Sequence, residues 1–191
     1  MNITFADEAS GARDGFEFAD GVGEYVQFLN EDRRPLHADV IALRGEERGV
    51  RYEVGLQWCD GDEELRVSFA NHHFTTQGGT HDSGLRSGAA AGLRDVIGAT
   101  RPGAGTFEGG DLRAGLTAVV SVWLGDPQFG GATRERLNSP EAEVVVRAAV
   151  RRGVRDYLDA NREVAARILG AVVAARDARV SATAERKRMR G

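Results

Sequence analysis

The chain has 191 residues, with 25 basic against 29 acidic side chains, a formal net charge of −4, 41% hydrophobic and 28% charged residues; this is the make-up of one globular domain, or of one domain with an appendage. A single cysteine, Cys59, excludes a disulfide framework and favours a reducing compartment. No run approaches the roughly 18 apolar residues of a membrane span, and Met1-Asn2-Ile3-Thr4-Phe5 lacks the basic and apolar regions of a signal peptide, so a cytoplasmic protein is expected.

The charge is unevenly spread. Residues 134–191 hold 14 basic and 8 acidic side chains, net +6, whereas residues 1–133 hold 11 and 21, net −10. A basic C-terminal third beside an acidic body fits either a segment that meets phosphate or a solvated helix face.

Residues 11–18, ending in Gly15-Phe16-Glu17-Phe18, are a short strand candidate. Val22, Tyr25, Val26 and Leu29 fall at i, i+3, i+4 and i+7 and predict a helix that must stop before Pro35. Val50, Tyr52, Val54, Leu56 and Trp58 alternate with Arg51, Glu53, Gly55 and Gln57, the pattern of a half-buried strand. Leu65, Val67 and Phe69 alternate after the turn pair Asp60-Gly61, so these two strands are expected to pair as an antiparallel hairpin.

Gly78-Gly79 breaks the next segment, and a helix is expected from Thr80, its N-cap, with Leu85, Ala89, Leu93 and Val96 on one face. Residues 101–110, rich in glycine, read as a loop. Leu116 to Leu124 reads as a strand buried on both faces. Ser139-Pro140-Glu141 starts a helix with a cap, a proline in the first turn and an acid near the positive dipole end; Val146, Val150, Val154, Tyr157 and Leu158 line it. Asn161 is expected to cap a last helix bearing Val164, Ile168, Val172 and Ala175. Helical to Arg190, it would span ~45 Å at 1.5 Å per residue and is expected to project. The order β-α-β-β-α-β-α-α describes an α+β fold, a two-layer mixed sheet with helices mainly on one face.

Most familiar chemistry is missing. No lysine follows a glycine loop, which excludes a Walker motif, and Gly98 to Gly103 lacks the Lys-Ser/Thr pair. His81, Asp82 and Ser83 are the residue types of a hydrolase triad, but consecutive helical residues point about 100° apart and form no relay. His72 and His73 are adjacent at a strand end, one expected inward and one outward, with no further ligand at zinc spacing.

Three segments are more specific: Phe69-Ala70-Asn71 followed by Gln77-Gly78-Gly79-Thr80-His81-Asp82-Ser83-Gly84-Leu85-Arg86; Gly110-Asp111-Leu112-Arg113-Ala114-Gly115-Leu116 running on to Val122; and Asp126-Pro127-Gln128-Phe129-Gly130-Gly131-Ala132-Thr133-Arg134-Glu135-Arg136-Leu137. Together they resemble the transducer, the second domain of the B subunit of bacterial type IIA topoisomerases (DNA gyrase and topoisomerase IV). That family shows F-x-N-N, E-G-G-T-H-x-x-G-F-R, D-x-R-E-G-L-x-A-V-x-S-V and D-P-x-F-x-G-Q-T-K-x-K-L. Leu56-Gln57-Trp58 matches its L-Q-W-N strand, and Ala174-Ala175-Arg176-Asp177-Ala178-Arg179 is similar to its A-A-R-x-A-R helix. The resemblance runs over essentially the whole chain.

The resemblance implies the fold of the second domain of ribosomal protein S five, with a left-handed crossover, a core over residues 1–160 and a C-terminal helix over 161–191 leading towards the next domain. It implies that a loop reaches the ATP held by a neighbouring ATPase domain and that a lysine of a Gln-Thr-Lys triplet meets the γ-phosphate. Here the triplet reads Ala132-Thr133-Arg134, so Arg134 is the implied catalytic cation, with Ala132 and Thr133 beside it. Arginine keeps the charge and can grip phosphate oxygens in pairs, but it is planar and longer than lysine. Ala132 has no amide, Ala114 replaces a glutamate, Cys59 an asparagine, and Gln77 an acid. Arg86 either resembles an arginine facing a DNA-holding cavity or is a salt-bridged helix arginine. Arg151, Arg152 and Arg155, with Arg162 and Arg167, either line that cavity as phosphate contacts or are only solvated charges.

ATP and Mg²⁺ in the full enzyme, DNA, the A subunit and a second B subunit are the implied ligands and partners. No motif of the ATPase or DNA-cleavage domains is found in the sequence, so this stretch is not expected to be catalytically competent alone. The departures at Ala132 and Ala114 leave an alternative: a stand-alone or diverged non-catalytic module that binds DNA or a topoisomerase subunit.

Overall fold

The computed structural model describes residues 21–189 in full and, before them, the backbone of two strands, β1 (Asn2–Ala6) and β2 (Arg13–Glu17), paired antiparallel with Asn2 opposite Glu17. The strand expected within 11–18 is β2, and Phe18 lies outside the described residues. Helix α1 (Val22–Leu29) comes next, followed by β3 (Ile41–Glu47), β4 (Val50–Trp58), β5 (Leu65–Ala70) and β6 (His73–Phe74). The chain continues with α2 (Thr80–Thr100), α3 (Gly109–Arg113), β7 (Leu116–Leu124), α4 (Pro140–Ala160) and α5 (Arg162–Arg188). The α+β expectation, a mixed sheet with helices, holds.

The larger sheet has the order β3-β4-β7-β5-β6. The expected β4–β5 hairpin does not form: β7 lies between them, antiparallel to β4 and parallel to β5. The reason is burial. β7 is apolar towards both faces and all but one of its residues are buried, so it takes the central position, where both its edges are paired. Trp58 at the end of β4 is opposite Leu116, and Leu65 at the start of β5 is opposite Thr117, so residues 59–64 cross the beginning of β7. Cys59 N–H donates to the Gly115 carbonyl at 2.8 Å there. The hairpin partner of β4 is instead β3, which the hydrophobic pattern did not reveal. Their two-residue turn, Arg48-Gly49, has positive φ at both positions (52° and 75°), the geometry whose twist matches paired strands.

The two sheet faces are covered differently. Val22 and Val26 of α1 pack on Val119, and Gly55 of β4 makes that approach possible: a Cβ there would be 3.0 Å from the Val22 carbonyl oxygen. The other face carries the main core, with Val54, Leu56, Trp58, Val120 and Val122 of the sheet against Leu85, Leu93, Val146, Val150 and Val154 of α2 and α4. Helices α2 and α4 touch backbone to backbone. Gly84, Gly88 and Gly92 form a stripe at fourfold spacing, and a Cβ on each would lie 2.7–2.9 Å from the carbonyl oxygens of Glu143, Arg147 and Arg151.

The cap of α2 differs from expectation. Gly79, not Thr80, precedes α2, because Gly79 adopts φ 137° and leaves Thr80 as the first helical residue. Asn161 stands at the N-cap of α5 as expected, its carbonyl accepting from Ala165 N–H at 2.9 Å, but its side-chain amide donates to the Tyr157 carbonyl at 2.8 Å and closes α4. Helix α5 has 27 residues. Ala165, Ile168, Leu169 and Val172 join the core, and from Val180 to Met189 every residue is exposed. None of the described helices is long and apolar enough to cross a membrane.

Candidate functional site

The loop from β7 to α4 carries Ala132, Thr133 and Arg134, all exposed. Its base is zipped: Phe129 bridges Leu137, Gly130 N–H donates to the Arg136 carbonyl at 2.8 Å, and Asn138 N–H to the Gln128 carbonyl at 2.7 Å. Ser139 holds Gln128 N–H through its hydroxyl oxygen at 2.9 Å, so its side chain serves the loop rather than the helix end.

The same loop is tied to the start of α2. Gln77 N–H donates to the Glu135 carbonyl at 3.0 Å and its side-chain amide to Glu135 Oε2 at 2.9 Å; Leu137 and Gly78–Thr80 exchange two further backbone bonds. Gly79 permits the contact, since a Cβ would be 2.2 Å from the Leu137 carbonyl oxygen. Two of the three sequence motifs thus meet at Leu137, which is fully buried. Gln77, which stands where the family pattern has an acid, anchors this junction.

Arg134 is held in an unusual conformation, with φ 56° in the left-handed region. Its Nη1 donates to His73 Nε2 at 2.9 Å, and the guanidinium carbon is 5.8 Å from the Phe129 ring centroid. His73 and Phe129 meet edge to face, with centroids 6.0 Å apart. Arginine can only donate, so Nε2 of His73 is the acceptor and its proton is on Nδ1. Among the described residues no carboxylate pairs with Arg134. His72 and His73 are both exposed, contrary to the alternation expected, because positive φ at Asn71 and His72 turns the chain there.

The remaining arginines fall into separate places. Arg151, Arg152 and Arg155 line one groove along α4, joined by Arg147, which the sequence reading missed although it follows the same fourfold spacing as Arg151 and Arg155. Arg151 is committed to Asp95 at 2.6 and 2.9 Å, which holds that carboxyl below the usual range; Arg155 pairs with Asp156. Arg147 and Arg152 have no ion-pair partner among the described residues. Arg86 is not with them. It borders a polar hollow with Arg66, Gln77 and Asp82 at the start of α2. Arg162 leans towards Asp159, and Arg167 donates to the Leu36 carbonyl at 2.8 Å, so neither reaches the groove.

His81, Asp82 and Ser83 diverge as expected of consecutive helical residues. His81 is fully buried with Nε2 3.2 Å from Thr75 Oγ1, Asp82 pairs with Arg66, and Ser83 is exposed. Burial pushes the His81 pKa down to about 4. No group of three or more His, Cys, Asp or Glu side chains that could hold a metal ion occurs among the described residues.

The chain is similar to known proteins. A family model described as DNA gyrase B matches residues 21–188. The chain is 35% identical over 182 residues to the DNA gyrase B subunit of Archaeoglobus fulgidus, covering 95% of this chain and 29% of that protein. It is 34% identical over 184 residues to the DNA topoisomerase 4 B subunit of Streptococcus pneumoniae, covering 94% and 28%. Among solved structures, the 43K ATPase domain of Thermus thermophilus gyrase B in complex with an aminocoumarin superposes with a TM-score of 0.82 at 29% identity, over 97% of this chain and 51% of that one. The chain therefore spans less than a third of these curated relatives and about half of the solved domain.

Proposed function

The chain belongs to the DNA gyrase B family, and on that premise we propose that it is the transducer of an ATP-dependent type II DNA topoisomerase B subunit. In this reading it has the fold of the second domain of ribosomal protein S five, and the parallel β5–α2–β7 unit is its left-handed crossover. Residues 1–160 are the transducer core and residues 161–191, with α5 in them, the segment that leads towards the next domain. The location is the cytoplasm. The partners are DNA, an A subunit and a second B subunit.

The observation that carries this reading is Arg134. An exposed guanidinium with no carboxylate on it among the described residues, at the tip of a loop pinned to α2, fits an anionic phosphate. ATP, with Mg²⁺, in the neighbouring ATPase domain supplies the γ-phosphoryl group. Arg134 donates to its oxygens in pairs and stabilises the charge that develops there. Thr133 offers a hydroxyl, and Ala132 leaves room without an amide. Because the loop is zipped at Gly130–Arg136 and tied to Gln77, a pull on Arg134 reaches α2, and through its glycine stripe α4. The groove of Arg147, Arg151, Arg152 and Arg155, with Arg86 apart from it, meets DNA phosphates without reading bases.

The test is the ATPase rate of the intact protein that carries this chain. Arg134→Ala is expected to lower kcat about a hundredfold, in line with the loss of a charge-stabilising donor, and Arg134→Lys to recover most of it. An Arg134→Ala protein with the wild-type rate would instead mean a diverged loop that does not act on ATP, and an intact protein with no ATPase activity would favour the diverged, non-catalytic module to which Ala132 and Ala114 point.

A further inference from the structure

We propose that His73 is a positioning residue for Arg134: it holds the guanidinium in the pose from which it meets phosphate. The inference rests on the phosphate role of Arg134 and goes beyond it, because His73 lies 61 positions away and touches no nucleotide in that reading.

Three contacts define the holder. The neutral His73 imidazole accepts from Arg134 Nη1 at 2.9 Å, the Phe129 ring is 5.8 Å beneath the guanidinium carbon, and His73 abuts Phe129 edge to face. An exposed arginine at a loop tip otherwise samples many rotamers, and ordering it at the moment of phosphate binding costs free energy. Holding one end of the fork in advance removes part of that cost while leaving the other donors free. A neutral acceptor suits this task. A carboxylate at the same place would neutralise the charge that phosphate needs, whereas an imidazole nitrogen directs the guanidinium and leaves its charge intact. The left-handed backbone at Arg134 supports the same conclusion, since a non-glycine residue persists there only when its surroundings hold it. The turned backbone at Asn71 and His72 brings His73 out to the edge of the sheet, below the loop. Asn71 is itself fixed there by its side chain, which pairs with Leu124 N–H at 2.9 Å and the Leu124 carbonyl at 2.7 Å.

A double-mutant cycle on ATPase kinetics of the intact protein tests this. His73→Ala is expected to lower kcat about tenfold, the worth of one hydrogen bond to a charged group, with KM for ATP changed far less. His73→Gln, which keeps an acceptor, should restore most of the loss. In an Arg134→Ala background His73→Ala should cost nothing further, because the residue it positions is gone. Equal loss in both backgrounds, an increase in kcat, or failure of glutamine to rescue would each overturn the inference. If Arg134→Ala is costly and His73→Ala harmless, the positioning role fails and the phosphate reading stands; if Arg134→Ala is itself harmless, both fall. His73 is exposed, and thermal melting of each variant confirms that the fold is retained.

Discussion

Arg179 of α5 donates from Nε and Nη2 to the two carboxylate oxygens of Asp111, each at 2.8 Å, while its Nη1 reaches Glu108 at 2.7 Å. The pair joins the motif before β7 to the motif near the end of the chain, 68 positions on. Asp111 is almost fully buried, and the Arg179 guanidinium holds its carboxyl below the usual range. One turn earlier Arg176 lies over the Phe107 ring, its guanidinium carbon 4.8 Å from the centroid, and donates to the Ala104 carbonyl. These two arginines fasten α5 to α3 and to the loop before it, beyond the point where the apolar core stops supporting the helix.

Removing that fastening should therefore loosen the helix. Arg179→Ala leaves the buried Asp111 carboxylate without its charged partner, a costly state. We expect Tm to fall by several degrees and amide exchange over residues 173–188 to quicken, with α4 unaffected. Arg179→Ala combined with Asp111→Asn should recover part of the loss, because the orphaned charge goes too.

The glycine stripe of α2 makes a sharper stability prediction. Gly88→Ala places a Cβ 2.7 Å from the Arg147 carbonyl oxygen and 2.9 Å from Val150 Cβ, so the helices must part. Urea unfolding should show a loss of about 2 kcal/mol from this overpacking. Gly98 on the same helix has nothing within 4 Å, so Gly98→Ala should gain about 0.5 kcal/mol through helix propensity. A neutral Gly88→Ala would contradict the backbone contact of α2 and α4.

Acid should weaken the fold through histidines before it acts on carboxylates. Burial lowers the pKa of His81 from 6.5 to about 4 in the folded protein, so between these values the unfolded chain binds the extra proton and stability falls as pH falls. The loss from His81 reaches about 3 kcal/mol by pH 4. His37 acts in the same direction: it too is buried, with Nε2 accepting from Trp58 N–H at 2.9 Å, and desolvation lowers its pKa. Asp95 and Asp111, with lowered values, lose their contribution only at more acid pH. Urea midpoints between pH 7.5 and 4.5 should decline, and His81→Gln should flatten the decline even though it lowers the starting stability.

The groove arginines should differ in their use to DNA. Arg152 and Arg147 are unpaired among the described residues, whereas Arg151 is already spent on Asp95. In salt titrations of duplex binding by the intact protein, Arg152→Ala and Arg147→Ala should each reduce the slope of log K against log salt by about 0.9. Arg151→Ala should reduce it less, and none should alter sequence preference. Equal slopes for all three would refute the division.

Local pattern by itself determined much of this protein. Strict alternation marked β4 to the residue, an apolar run marked β7 as a strand buried on both faces, and the 3.6-residue period marked α1 and α4, because side-chain direction repeats with the backbone geometry of each element. Arg134 was legible as a candidate cation only through the family resemblance that its contiguous neighbours carry. Only the tertiary structure decided what those elements meet. β4 pairs with β3 and β7 rather than β5, since pairing follows from which strand must be buried on both faces and not from order along the chain. The stripe Gly84, Gly88, Gly92 carries no hydrophobic signal, yet it lets two helices touch at their backbones. His73 reaches Arg134, and Arg179 reaches Asp111, across 61 and 68 positions, and only the folded chain brings groups so far apart in sequence within hydrogen-bonding distance.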